Sequence, residues 1–294
     1  MKKENALPIF LTLLYYLVFL FLYLQGEIDE FAYVFILVCS TLILLISLIF
    51  FRKKPAVKKK ISIAAFILFL AFCYEFILVG YDAPTHVAYA YIKPEEAVEG
   101  SGIFIVGVSE IQVGNTRSKQ EVINLLTRKN EQVFSVVDVN HYTVYGVKNR
   151  QLLKWILFRK DPLEEMKTNV IDYLGKEEEW LTRFVNKNDI QGSSAGLSLA
   201  LTGRLEKGDY KNDLGFAVTE AITKTGKVKS ISGIKEKIQI AEKTGFPFMI
   251  IPSENAKEAA KVQKELNSTI KIYTVSTVDE AIEVIVDLNK RIIK

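Results

Sequence analysis

Hydrophobic positions follow two regimes along the chain. Up to Gly80 they run almost unbroken, from Leu7 to Leu24, Phe31 to Phe51 and Ile61 to Val79. Each run is close to the roughly 20 residues a helix needs to cross a bilayer. Three in succession, with no small-residue cleavage site after the first, predict anchored spans rather than a leader peptide. The expected helices are about 7–25, 31–51 and 61–80, within an anchor covering residues 1–82.

Beyond Gly80 the apolar positions take on strand and helix periods. Residues 83–100 hold Pro84, Pro94 and Gly100 and read as a linker. "GIFIVGVSEIQVG" (102–114) predicts a strand pair or one long strand, and "SKQEVINLLTRKNE" an amphipathic helix through Val122, Leu125 and Leu126. "QVFSVVDVNHYTVYGV" is β-branched and aromatic and predicts strand, with a turn near Asn140. A helix capped by Asp161, with Pro162 in its first turn, carries Leu163, Met166, Val170 and Leu174 on one face.

The last hundred or so residues alternate (helix from about 196, strands 216–222 and 227–231, helix to Gly245, strand "FPFMIIP", helix capped by Ser253, strand "TIKIYTV", helix capped by Ser276). This is an α/β pattern, with helices covering a sheet. The residues after Gly80 are enough for one sizeable core or two small ones. The soluble domain is expected over residues 101–294.

Charge orients the spans. "QGEIDE" between the first two carries no Lys or Arg, whereas "FRKKPAVKKK" between the second and third carries Arg52, Lys53, Lys54, Lys58, Lys59 and Lys60, and Lys2 and Lys3 precede the first. Positive loops stay in the cytoplasm. The N-terminus and the basic loop are therefore expected inside, and everything after Gly80 outside: a multi-pass cell-membrane protein with an extracytoplasmic domain. The net charge of +4 is largely that loop, so it implies no nucleic-acid partner. Only Cys39 and Cys73 occur, both within spans, which leaves the soluble part without a disulfide, a cysteine nucleophile or a cysteine metal site. Glu75, near the outer end of the third span, reads as an interfacial, snorkelling carboxylate, although intramembrane acids can be functional.

The chemistry-bearing stretch is "NDIQGSSAGLSLALTG", residues 188–203. Ser193 or Ser194 can cap the helix that follows. Either can also be a nucleophile at a helix N-terminus, where free N–H groups and the helix dipole favour developing negative charge. A nucleophile needs a base. His86 lies in the linker and His141 at an expected turn, where it reads as a surface residue, so a Ser-His pair has weak support. A desolvated lysine can also serve. Lys235 follows Ser232-Gly233-Ile234 at a helix start, where the dipole disfavours an ammonium; Lys229 and Lys237 read as solvated. Taken alone, Lys235 is one charge among many.

Taken together, three stretches resemble the proteolytic domain of the Lon family of Ser-Lys peptidases (S16 type). They are Gly192-Ser193-Ser194-Ala195-Gly196, then Ser232-Gly233-Ile234-Lys235-Glu236-Lys237, then Ile251-Pro252-Ser253-Glu254-Asn255, closed by "STVDEAIEVI". The match is strongest over 189–294. The resemblance implies an α/β (α+β) Lon proteolytic-domain fold preceded by three transmembrane helices. It implies Ser194 as nucleophile and Lys235 as base, and a loop of Gly192, Ser193, Ala195 and Gly196 around the substrate and oxyanion. Thr219 lines the site and Asp189 supports the loop. In that scheme Ser193 stands where the family has Pro and caps the helix, while Gly192 and Gly196 admit a substrate backbone. Ser232 and Glu220 replace family glycines.

ATP-driven members carry a phosphate-binding loop. Here "GRLEKGDYK" has the first spacing but Asp209 in place of the lysine, so no nucleotide cofactor is expected, nor a metal. "VEGSGIFIVGV" looks like the start of the soluble part of membrane-anchored Lon-like proteases with an inserted PDZ domain, yet residues 102–192 leave no room for one. The expected function is a membrane-anchored, ATP-independent serine endopeptidase acting on unfolded or flexible polypeptides. Relatives often form rings, so a homo-oligomer is a possible state. The rival expectations are a catalytically inactive Lon-fold scaffold at the membrane and a sensor or transport accessory built on the spans.

Overall fold

The computed structural model describes residues 6–80, 84–156, 161–186 and 192–292. The chain divides into two compact units. One comprises Met1–Val87, Gln112–Lys119 and Val137–Arg159; the other comprises Ala88–Ile111, Gln120–Val136 and Lys160–Lys294.

The first unit is built on three long apolar helices, α1 (Ala6–Gln25), α2 (Glu30–Phe50) and α3 (Pro55–Glu75), the last prolonged by a 3₁₀ turn at Phe76–Leu78. All three are long and apolar enough to cross a membrane. Asp29 caps α2, its carboxylate accepting from the Ala32 N–H at 2.7 Å. Pro55 occupies the first turn of α3, where its missing N–H costs nothing, so the helix begins before the expected Ile61. Tyr23, Tyr33, Leu37 and Leu68 are buried between the helices, while Phe35, Ile43, Ile49 and Phe66 face outward. An apolar exterior of this kind is what a lipid solvent selects.

The second unit contains a five-stranded sheet in the order β10-β9-β6-β3-β2, from β2 (Glu95–Glu96), β3 (Ile103–Ile105), β6 (Phe216–Val218), β9 (Phe248–Pro252) and β10 (Lys271–Val275). The first four strands in that order are parallel, and β2 is antiparallel to β3. Every residue of β6 and β9 is buried. Strands buried on both faces read as continuous apolar runs rather than alternating ones. The pleat sends Phe216, Val218, Phe248 and Ile250 into one core and Ala217, Met249 and Ile251 into another. The first core includes residues of α6 (Pro162–Leu174), α7 (Glu179–Val185), α8 (Gly196–Glu206) and α11 (Val278–Ile292). The second includes residues of α9 (Ile234–Thr244) and α10 (Ala256–Leu266). The result is the mixed α/β fold expected for a Lon proteolytic domain.

Two short sheets complete the strands. One runs β4-β1-β5, from β1 (His86–Ala90), β4 (Ser109–Val113) and β5 (Val133–Asp138); the other pairs β7 (Ala221–Ile222) with β8 (Val228–Lys229). Several local expectations change here. The 83–100 linker contains β1 and β2. The 102–114 stretch is two strands in two different sheets, not a pair. The 216–222 strand breaks at Thr219-Glu220.

The second half of the expected strand at 132–147 is a helix, α5 (His141–Ile156), which follows α4 (Lys119–Arg128) and β5 in the chain. Asn140 caps it, accepting from the Thr143 N–H at 2.9 Å, and its aromatic residues line a helical face. Strand propensity is context-dependent, and tertiary contacts override it here. The caps also move. Ser253 lies in a 3₁₀ turn and Asn255 precedes α10. The hydroxyl of Thr277, not Ser276, accepts from the Glu280 N–H at 3.2 Å.

Candidate active site

Gly192 opens the serine turn in the left-handed region, at φ 81°, with nothing within 4 Å of where a Cβ would stand. Ser193 and Ser194 are half-buried, and Ala195 onward is buried. Helix α8 starts at Gly196 with Ala195 in the cap position and no side-chain cap bond, so Ser193 is not the cap. The end of the strand that follows α8 in sequence holds the turn. The Glu220 N–H donates to the Ser194 carbonyl at 2.7 Å, and the Leu197 N–H donates to the Glu220 carbonyl at 3.0 Å. Farther in, the Ser198 hydroxyl donates to the Val218 carbonyl at 3.2 Å.

Gly196 is a glycine for internal reasons. A Cβ there would come within 3.1 Å of the Ile222 nitrogen, tighter than ordinary contact. Of the two loop glycines, Gly192 is open at its Cβ position among the described residues and Gly196 is not. Among the described residues, the Ser194 hydroxyl and the main-chain N–H groups of Ser194 and Ala195 donate no hydrogen bond.

The two lysines of "GIKEK" part ways. Residues two apart on an α-helix point about 200° from each other. On α9, Ile234, Lys237, Ile238 and Ala241 form the buried face. Lys235 lies on the other face, with its side chain 51% exposed and its ammonium 3.8 Å from Glu265. The expectation that Lys235 is the desolvated base therefore fails on burial. Lys237, expected to be solvated, is 6% exposed.

Burial lowers the pKa of Lys237 from 10.5 to about 8, against the opposing pull of the Glu110 and Glu236 carboxylates. Glu236 is itself held by the Ser135 hydroxyl at 2.9 Å. No side-chain hydrogen bond or ion pair to Lys237 occurs among the described residues. The sequence signal was present: the i, i+3, i+4, i+7 spacing of Ile234, Lys237, Ile238 and Ala241 puts Lys237 on the apolar face.

Thr219 and Glu220, next to the turn, are fully buried, and neither the threonine hydroxyl nor either carboxylate oxygen has a hydrogen-bond partner among the described residues. Burial raises the Glu220 pKa well above 4.5, which favours a neutral acid there. Asp189 lies outside the described residues. His86 and His141 belong to the first unit. His86 is buried, with Nε2 3.2 Å from Asp138 and Nδ1 2.8 Å from the Thr116 hydroxyl. His141 is half-buried rather than a surface residue; its Nδ1 bonds the Tyr23 carbonyl at 2.7 Å.

The second unit thus presents a half-buried serine on a bracketed turn and, elsewhere in the same unit, a desolvated lysine. Residues 185–287 match the Lon protease (S16) C-terminal proteolytic domain. Among similar proteins is the Lon protease of Lawsonia intracellularis, 38% identical over 97 residues, which are 31% of this chain and 11% of that protein. The Lon protease of Finegoldia magna is 31% identical over 143 residues, covering 42% and 18%. That of Solibacter usitatus is 37% identical over 95 residues, covering 32% and 12%. The matched region thus spans less than a fifth of each of these relatives.

Proposed function

We propose that this chain is a membrane-anchored serine endopeptidase in which Ser194 is the nucleophile and Lys237 the general base. The observation that carries this reading is the burial of Lys237, without a counter-ion in contact among the described residues, within the segment that matches the Lon proteolytic domain. A base must be neutral when it acts, and desolvation is what makes a lysine neutral near physiological pH. Neutral Nζ of Lys237 accepts the Ser194 proton as Oγ attacks the peptide carbonyl carbon. The free main-chain N–H groups at Ser194 and Ala195 stabilise the resulting oxyanion. Collapse breaks the C–N bond, and the Lys237 ammonium returns its proton to the leaving amine. Water then repeats the sequence to release the acyl group from Ser194. Thr219 lines the site, and Asp189 supports the loop.

The same reading places the peptidase domain within residues 101–294, outside the cytoplasm, working without ATP on unfolded or flexible polypeptides and able to associate with further copies of itself. The charge contrast between the two interhelical loops supports the orientation. Protease added to spheroplasts should cleave beyond Gly80; protection until lysis would reverse it.

The test of the chemistry uses the full chain in detergent, an unfolded protein substrate and no nucleotide. Wild type should cleave. Ser194→Ala, Lys237→Ala and Lys237→Arg should not, since arginine keeps its proton. Lys235→Arg should retain most activity. Activity in Lys237→Arg, or its loss in Lys235→Arg, overturns the assignment of the base.

A second reading, a Lon-fold scaffold without catalysis, is favoured by Glu220, a buried carboxyl where the resembled family has glycine. It predicts no cleavage by wild type under any nucleotide condition, with substrate binding unchanged in Ser194→Ala.

A further inference from the structure

Helix α5 makes its contacts in the first unit with the apolar helices. The His141 ring stacks on Tyr23 at 4.7 Å between centroids, and Gln25 donates to the Tyr142 hydroxyl at 2.9 Å. The Tyr145 hydroxyl donates to Glu75 at 2.8 Å, and the Lys148 ammonium donates to the other oxygen of Glu75 at 2.5 Å. The Tyr74 hydroxyl donates to Asn149 at 2.7 Å. Positions 141, 142, 145, 148 and 149 form one helical face. Tyr16, in the middle of α1, adds a hydrogen bond to Glu75 at 2.6 Å. Both ends of the Glu75–Lys148 pair are 0% exposed.

We propose that α5 is a membrane-embedded helix: it lies in the lipid leaflet at the C-terminal end of α3, pinned by the Glu75–Lys148 pair, with the flank that carries Tyr142 and Leu153 against phospholipid. The proposal rests on the reading that α1, α2 and α3 cross the membrane. Glu75 falls inside the apolar segment Pro55–Leu78. A carboxylate at that depth needs a partner at the same depth. Lys148 and Tyr145 meet it there, so the part of α5 that carries them must enter the bilayer. Tyr16 is nine residues from the end of α1, or about 13 Å along its axis, which sets how far down α1 the contacts of α5 reach.

The flank of α5 beside its contact face is what meets lipid. Tyr142, whose hydroxyl accepts from Gln25, and Leu153, about 20° from it around the helix, are large and exposed, and Arg150 is exposed next to them. Aromatic rings sit at headgroup level, and a long basic side chain lays its stem along apolar surface while its head reaches a phosphate.

The experiment uses the full chain with Cys39 and Cys73 replaced by alanine, reconstituted in phosphatidylcholine–phosphatidylglycerol vesicles. An environment-sensitive fluorophore is attached at Leu153→Cys. Phe66→Cys, facing outward on α3, is the lipid control, and Lys257→Cys, exposed on α10, is the water control. The probe at 153 should be quenched several-fold more strongly by nitroxide-bearing acyl chains than by aqueous iodide, as at 66. Behaviour like 257 overturns the placement of α5. If 66 also behaves like 257, the membrane spans themselves are wrong and the proposal falls with them.

Lys148→Met should move the 153 probe towards water, because it leaves Glu75 buried and unpaired, and the double variant Glu75→Gln/Lys148→Met should return it to lipid. A probe that stays lipid-quenched in Lys148→Met overturns the ion pair as the element holding α5 in place.

Discussion

Lys148 and Lys237 are both buried, one in each unit, and they meet the cost of burial in opposite ways. Lys148 is matched by the Glu75 carboxylate, and its ammonium sits 4.2 Å from the centroids of the Tyr74 and Tyr145 rings. Lys237 has the Glu110 and Glu236 charges near enough to act on it, but no acceptor in contact among the described residues. Lys148, held in an ion pair, serves as a structural clamp. Lys237, with no acceptor in contact among the described residues, is suited to act as a base, its pKa lowered by burial to about 8. The residue type is the same, and the difference lies in whether the surroundings supply a counter-charge.

The widest separation between the two lysines should appear in turnover. Lys237→Ala and Lys237→Arg should both lower proteolysis on the order of a thousandfold or more, as removal of a catalytic dyad member does. Wild-type activity should rise with pH through about 8, the value to which burial lowers Lys237, because the neutral fraction grows above it. A rate–pH profile with no ascending limb in that region breaks the contrast from the Lys237 side.

Next in size is the clamp. Lys148→Met leaves a carboxylate buried without its partner and should cost about 3–5 kcal/mol of stability, whereas adding Glu75→Gln should restore most of it. Thermal unfolding of the full chain in detergent, followed by circular dichroism, reads both. Equal destabilisation by the single and double variants would mean that packing, not charge, holds α5.

Lys237→Met should do the reverse and stabilise the protein. The unfolded lysine keeps its proton up to 10.5, while the folded one gives it up near 8. Below pH 8 the folded state therefore carries the full penalty of a desolvated charge, about 3 kcal/mol. The penalty shrinks between pH 8 and 10.5, so wild-type stability rises with pH across that window. Methionine has no such term. Its advantage should be near maximal at pH 7 and largely gone by pH 10, as compared by melting temperature. A variant less stable than wild type at pH 7 would show that the ammonium is better solvated than its burial implies.

The smallest expected effect is at Glu220, a buried acid that also lacks a hydrogen-bond partner among the described residues. Burial raises its pKa well above 4.5. With the folded pKa raised, its contribution is fully present below the unfolded value of 4.5 and is lost as pH rises through the folded value. Glu220→Gln should therefore match wild type in acid and become modestly more stable as pH rises. A Gln variant that is less stable at every pH would mean that the carboxyl has a charged or hydrogen-bonded partner.

Much of this was legible in the sequence because it depends on period and composition. Three unbroken apolar runs gave three long apolar helices within a few residues. Runs such as "FPFMIIP" gave a strand buried on both faces, and Asp161-Pro162 marked the start of α6. The serine turn was legible as Gly192-Ser193-Ser194-Ala195-Gly196, although its cap was misplaced, because Glu220 holds the turn from another element that is remote in sequence.

What the sequence by itself determined was the three apolar helices, most of the alternating elements after Gly196 and the serine turn, since spacing and residue size act locally. What only the tertiary structure decided was which buried charged side chains meet a counter-charge. Lys235 and Lys237 have the same chemistry and differ by two positions, yet one faces solvent and the other a core. Glu75 read as a snorkelling acid, and "HYTVYGV" as a strand, because the helix that joins them brings together positions more than sixty residues apart. Ion pairing depends on distances across the fold, which no local pattern encodes, whereas the side of α9 that loses water follows from its helical period.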